Sequence, residues 1–147
     1  MTNEESRLFE ITIEIPRWGF IKRGGNDAVD FISPLPCPYN YGAISEYLGV
    51  DGDLLDAVVL GRRLARGTTI KMRVYGAIGL TDHGDYDDKL ICSDKPLSVT
   101  ERFFVLNFFR LYAMFKQLLN FTRRRPGPTV CVGWRDVNGA LARARPH

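Results

Sequence analysis

Seven aspartates fall within residues 51–88: Asp51, Asp53 and Asp56 in one group, Asp82, Asp85, Asp87 and Asp88 in a second. In the first, Asp51-Gly52-Asp53-Leu54-Leu55-Asp56, a glycine turn feeds directly into an apolar run. The second, Asp82-His83-Gly84-Asp85-Tyr86-Asp87-Asp88-Lys89, lies between two apolar runs. Taken singly, each reads as a polar turn. If both open at one end of the same sheet, their carboxylates converge. Like charges a few ångströms apart raise one another's pKa, so such a set is stable only when cations fill it. Carboxylates select hard cations, of which Mg2+ is the abundant intracellular one. An EF-hand is excluded, because its twelfth position falls on Arg62 where a bidentate Glu is needed. His83 has no Ser or Cys nucleophile arrangement beside it, and no Gly-x-x-x-x-Gly-Lys phosphate loop is present.

The elements that must position these groups change period half-way along the chain. Phe9–Ile15 alternates apolar and polar as a half-buried strand does, and Pro16 ends it. Ala28–Ile32, Leu55–Leu60, Thr69–Leu80 and Lys89–Cys92 are further strand candidates, with a basic loop at Gly61–Gly67. Pro34–Pro38 cannot lie in a central strand, since three of its five residues lack an amide donor. Ser98 with Glu101 forms a capping box that opens a long helix to about Phe121. That helix is apolar over most of its circumference, which predicts burial nearly all round, part of it against another subunit. Val130–Val132 reads as a strand and Asp136–Ala144 as a short final helix. The plan is α+β or mainly β, and periodicity leaves an open sheet and a closed barrel equally available.

Bulk properties narrow the class. The chain has 147 residues, 45% hydrophobic and 25% charged, which predicts one domain over residues 1–147 with a real core. Three scattered cysteines, Cys37, Cys92 and Cys131, argue for buried free thiols rather than zinc or disulfides. Met1–Glu5 is acidic and lacks the pattern of a secretory leader, so a cytoplasmic location is expected. Phe103–Phe121 is apolar, yet Asn107, Arg110, Lys116, Gln117 and Asn120 make it a helix of a soluble protein, not a membrane span. Residues 101–147 hold nine Lys/Arg against two acids, so this part carries +7 and the first hundred residues −4. The Arg123-Arg124-Arg125 run precedes Pro126 and has little aromatic interleaving, so it reads as a solvated turn and nucleic acid is not expected as a partner.

A family resemblance gathers these features. Ile13-Glu14-Ile15-Pro16, Ile21-Lys22, Pro38-Tyr39-Asn40-Tyr41-Gly42 and Asp51-Gly52-Asp53-Leu54-Leu55-Asp56 resemble the family I soluble inorganic pyrophosphatases in order and spacing. So do Gly76-Ala77-Ile78-Gly79, the Asp82…Asp87-Asp88-Lys89 loop, Phe108-Phe109-Arg110-Leu111-Tyr112 and Gly133-Trp134. The resemblance implies a five-stranded, twisted β-barrel of the oligonucleotide-binding type with a long helix and a short C-terminal helix. It implies Mg2+-dependent hydrolysis of pyrophosphate to two phosphates, in a homo-oligomer with a hexamer favoured. It assigns metal binding to Asp51, Asp56, Asp82, Asp87 and, partly through water, Glu14. Asp53 becomes the base that takes the proton of the attacking water, while Lys22, Tyr41, Lys89 and Tyr112 line the substrate site.

Some positions depart from the family pattern. Arg23 and Gly24 stand where an aromatic and a Glu usually follow the lysine, no Arg lies around Asp30-Phe31, and Ala113 replaces the Lys that usually follows the helix Tyr. The alternative function is therefore a catalytically impaired homologue that binds metal and phosphate compounds as a regulatory module. If the chain turns over, Arg17, Arg23, Arg110 or Lys116 would supply the missing charge from a shifted position.

Overall fold

A computed structural model describes residues 8–19, 21–23, 29–32, 36–49, 53–82, 85–122 and 129–146, with only the backbone described at 21–23, 29–32, 82, 85 and 119–122. Five strands close a barrel. β1 (Leu8–Ile15) pairs β4 (Asn40–Leu48), β4 pairs β5 (Leu54–Val59), and β5 runs parallel to β8 (Lys89–Ser93). β8 then pairs β6 (Thr69–Asp82), and β6 returns to β1 and closes the ring. A short hairpin of β2 (Ile21–Arg23) and β3 (Val29–Ile32) stands beside it. β6 also pairs β7 (Asp85–Tyr86) and β9 (Val130–Arg135), and β10 (Arg145–Pro146) pairs β4. Closure decides what periodicity left open.

Alternation along each strand sorts side chains into two cores. Phe9, Ile11 and Ile13 of β1, Leu55, Ala57 and Val59 of β5, and Leu90 and Cys92 of β8 pack together. Val137, Ala140 and Leu141 of the short helix α2 (Val137–Arg143) complete this cluster. The opposite faces, with Val58, Leu60, Ile78 and Ile91, lie against the long helix α1 (Val99–Thr122). β8 is therefore buried at every position, which explains why it reads as a short continuous apolar run.

The capping box forms as expected: the Ser98 amide donates to Glu101 Oε1 at 2.9 Å, and the Glu101 amide donates to Ser98 Oγ at 3.1 Å. α1 buries Val105, Phe109, Tyr112 and Ala113, the i, i+4, i+7, i+8 stripe of one face. The expectation of nearly all-round burial fails within the single chain. Phe103, Phe104, Met114 and Leu118 are each more than half exposed. The barrel offers α1 one flank only, so the rest of its apolar surface faces outward. β2, β4, β7 and β10 are not among the strands expected from sequence; in β4, Gly42 and Ala43 interrupt the bulky alternation that marks a strand.

The small residues of β6 have a packing reason. A Cβ at Gly76 would sit 2.6 Å from the Trp134 ring, and one at Gly79 would collide with the Arg135 side chain. Gly76→Ala is expected to cost about 1–3 kcal/mol, the usual penalty of overpacking against a rigid ring. Urea unfolding measures this, and a change below about 0.5 kcal/mol would count against the contact. The free cysteines agree with the sequence reading: Cys37 and Cys92 are buried, Cys131 is half-buried, and burial pushes the Cys37 thiol up to about 11.

Candidate active site

Strand register assembles the site. Asp56 on β5 is opposite Ala43 on β4 and Lys89 on β8, so residues far apart in sequence meet on the barrel flank that faces α1. Tyr41 lies one step along β4, and the bulge in β1 between Ile13 and Ile15 puts Glu14, half-buried, beside Tyr41 and Gly42. The neighbouring Asn40 is buried and fully bonded. Its amide donates to the carbonyls of Val59 (3.3 Å) and Arg62 (2.8 Å), and its Oδ1 accepts from the amides of Arg17 (3.0 Å) and Leu64 (2.8 Å). One side chain thus fastens three segments around the start of β4, and nothing in local pattern singles it out for that task.

Lys89 is the centre. Its Nζ donates to Asp56 Oδ2 at 2.6 Å and to Asp87 Oδ1 and Oδ2 at 2.9 and 3.0 Å, and it lies 5.3 Å from the centroid of the Tyr41 ring. Its side chain is 4% exposed, against 23% for Asp56 and 17% for Asp87. Burial alone would push the ammonium toward neutrality, but Asp56 and Asp87 overcome it and hold the Lys89 pKa well above its ordinary value. Among the described side chains two carboxylates share this one ammonium, which leaves that trio net negative. Burial, with the nearby Asp56, raises the Asp87 carboxyl above its ordinary value despite Lys89. Burial and then Asp56 also raise Tyr41, and burial raises Tyr112, which α1 brings into the same cluster.

The remaining candidates divide. Asp53 is exposed, just ahead of β5, with its carbonyl accepting from the Gly49 amide at 2.8 Å. Lys22 is placed by backbone only, opposite Phe31 in the β2–β3 hairpin, and Asp82 likewise at the end of β6. Asp51 lies outside the described residues, as do His83 and Arg123-Arg124-Arg125. Asp88, counted in the cluster by sequence, takes another part. It is buried and accepts from Arg143 Nε of α2 at 2.9 Å, and the Arg143 guanidinium also lies 5.1 Å from the Tyr86 ring centroid. That pairing across 55 residues ties the C-terminal helix to the aspartate loop, and sequence spacing gave no signal for it.

A divalent cation fits this donor set. Paired carboxylates with a net negative charge, all oxygen donors, are the chemistry of a hard-cation site. Among the described residues no three His, Cys, Asp or Glu side chains come together as a metal-holding group. Of the five assigned ligands, Asp56, Asp87 and Glu14 have described side chains, and Lys89 bridges the first two.

The family model described as inorganic pyrophosphatase matches residues 11–116, more than half of the chain. The chain belongs to that family. By family it is an enzyme, an inorganic diphosphatase. It is 29% identical over 145 residues to the inorganic pyrophosphatase of Synechocystis sp., covering 91% of this chain and 86% of that one. It is 41% identical over 119 residues to the inorganic pyrophosphatase of Haemophilus influenzae, covering 70% of this chain and 62% of that one. It spans as little as 46% of the length of other relatives. The crystal structure of inorganic pyrophosphatase from Thermus thermophilus matches the fold at a TM-score of 0.72 and 24% identity, over 97% of this chain and 90% of that one. The pyrophosphatase barrel and its two helices are thus shared.

Proposed function

We propose that this chain, as a single domain, hydrolyses pyrophosphate to two phosphates in the cytoplasm with Mg2+ as cofactor, on the barrel flank around Lys89. The observation that carries the reading is the buried Lys89 ammonium held between Asp56 and Asp87 beneath Tyr41, a charged trio left net negative. Asp51, Asp56, Asp82, Asp87 and in part Glu14 would hold Mg2+, which would supply charge to acidify the attacking water and offset that of the phosphates. Asp53, exposed just ahead of β5, accepts the proton as the water oxygen bonds to phosphorus and the bridging P–O bond breaks. Lys22, Lys89 and Tyr112 hold phosphate oxygens, and Tyr41 walls the site.

If the carboxylates are the metal ligands, Mg2+ raises the thermal midpoint by mass action. Asp56→Ala is expected to lose most of that rise, and with it Mg2+-dependent phosphate release. An equal rise in the variant and the parent protein would remove Asp56 from the metal site.

The outward apolar surface of α1 supports a homo-oligomer, with a hexamer favoured. Phe103, Phe104, Met114 and Leu118 are exposed on the helix, and Val130 and Val132 on β9, with which α1 makes contact. Light scattering at micromolar concentration is expected to give a multiple of the 16.7 kDa chain. A mass equal to one chain would contradict it.

A further inference from the structure

We propose that Lys116 is a substrate-binding residue, its ammonium taking a phosphate oxygen of pyrophosphate beside Tyr112. The inference rests on the pyrophosphatase reading above and extends it to a residue outside the motifs. A polyphosphate anion entering beside Asp56 and Asp87 gains from cations in addition to Lys22, Lys89 and Mg2+. Lys89 is engaged by both carboxylates, at 2.6 and 2.9 Å. No cation stands at position 113, next to Tyr112: Ala113 is 3% exposed and belongs to the same core cluster as Val58, Ile78 and Phe109.

One turn further along the helix the geometry changes. Residues 112 and 116 share a face at i, i+4 spacing. The Lys116 Nζ lies 5.7 Å from the Tyr112 ring centroid, on a half-buried side chain. Tyr112 belongs to the same packed cluster as Tyr41, whose ring lies over Lys89. The other cations considered from sequence point elsewhere. Arg17 donates to the Gly61 carbonyl at 3.1 Å and lies over Trp18. Arg110 is exposed, and its charge acts on Cys131 of β9. The side chain of Arg23 lies outside those described.

The experiment compares the full chain with Lys116→Ala and Lys116→Arg by two readouts in millimolar Mg2+. One is steady-state hydrolysis of magnesium pyrophosphate, resolved into kcat and KM. The other is calorimetric titration with inorganic phosphate, which needs no turnover. Lys116→Ala is expected to lower kcat/KM at least tenfold and weaken phosphate binding several-fold, with an unchanged thermal midpoint and partial recovery in Lys116→Arg. An active parent protein with both readouts unchanged in Lys116→Ala overturns the assignment and leaves the pyrophosphatase reading standing. A parent protein that releases no phosphate overturns that reading instead. Phosphate titration then decides Lys116, and equal affinity, or no binding by either protein, overturns it too.

Discussion

Lys89→Met should lower the thermal midpoint by roughly 10 °C in EDTA, and Mg2+ should restore more of the loss than it adds to the parent protein. The side chain is 4% exposed and is the one cation bonded to both Asp56 and Asp87 among the described residues. Removing one partner of a buried ion pair costs about 3–5 kcal/mol, because the charges left behind stay buried and unpaired. For a chain of this size each kcal/mol moves the midpoint by a few degrees, about 2–4 °C. Here the orphaned groups are two facing carboxylates, and they repel. A divalent cation that binds only the folded state stabilises it by RT ln(1 + [L]/Kd), so the gap between variant and parent narrows as Mg2+ is added. A variant within about 2 °C of the parent in EDTA would show that Lys89 does not hold the cluster together. A gap that persisted undiminished in saturating Mg2+ would show that no metal enters it.

The second large effect is expected at Asp53. Asp53→Asn keeps size and shape while removing the proton acceptor. Residue 53 is exposed and Asn keeps the side chain's size and polarity, so the fold is expected to survive the change. Loss of a general base lowers the rate by about 10²–10⁴-fold. Phosphate release by the purified variant, with circular dichroism as the folding control, measures it. Retention of more than about a tenth of the parent rate would reject Asp53 as the essential base.

Local features were legible in sequence to the extent that their physics is local. The alternation of Phe9–Ile15 and the Ser98–Glu101 capping box both depend on neighbours within a few residues, and both appear as read. The two aspartate groups were visible as a pair, but their convergence was not. Asp56 meets Lys89 through the parallel β5–β8 pairing, across 33 residues of sequence that local pattern does not connect. The same holds for Asp88, whose partner Arg143 belongs to the other end of the chain. The apolar excess of α1 was plain, whereas its outward placement depended on how much flank the barrel could offer. The vacant charge at Ala113 was legible against the family pattern. That the position is buried and that Lys116 lies beside the Tyr112 ring required the helix to be docked.

The central claim is tested most directly by phosphate release from pyrophosphate, followed in millimolar Mg2+, after chelation with EDTA, and after Mg2+ is restored. The site around Lys89, Asp56 and Asp87 predicts two phosphates per pyrophosphate with Mg2+, loss of release in EDTA, and recovery when the cation returns. No release above the buffer rate in saturating Mg2+, or release undiminished by EDTA, would contradict it.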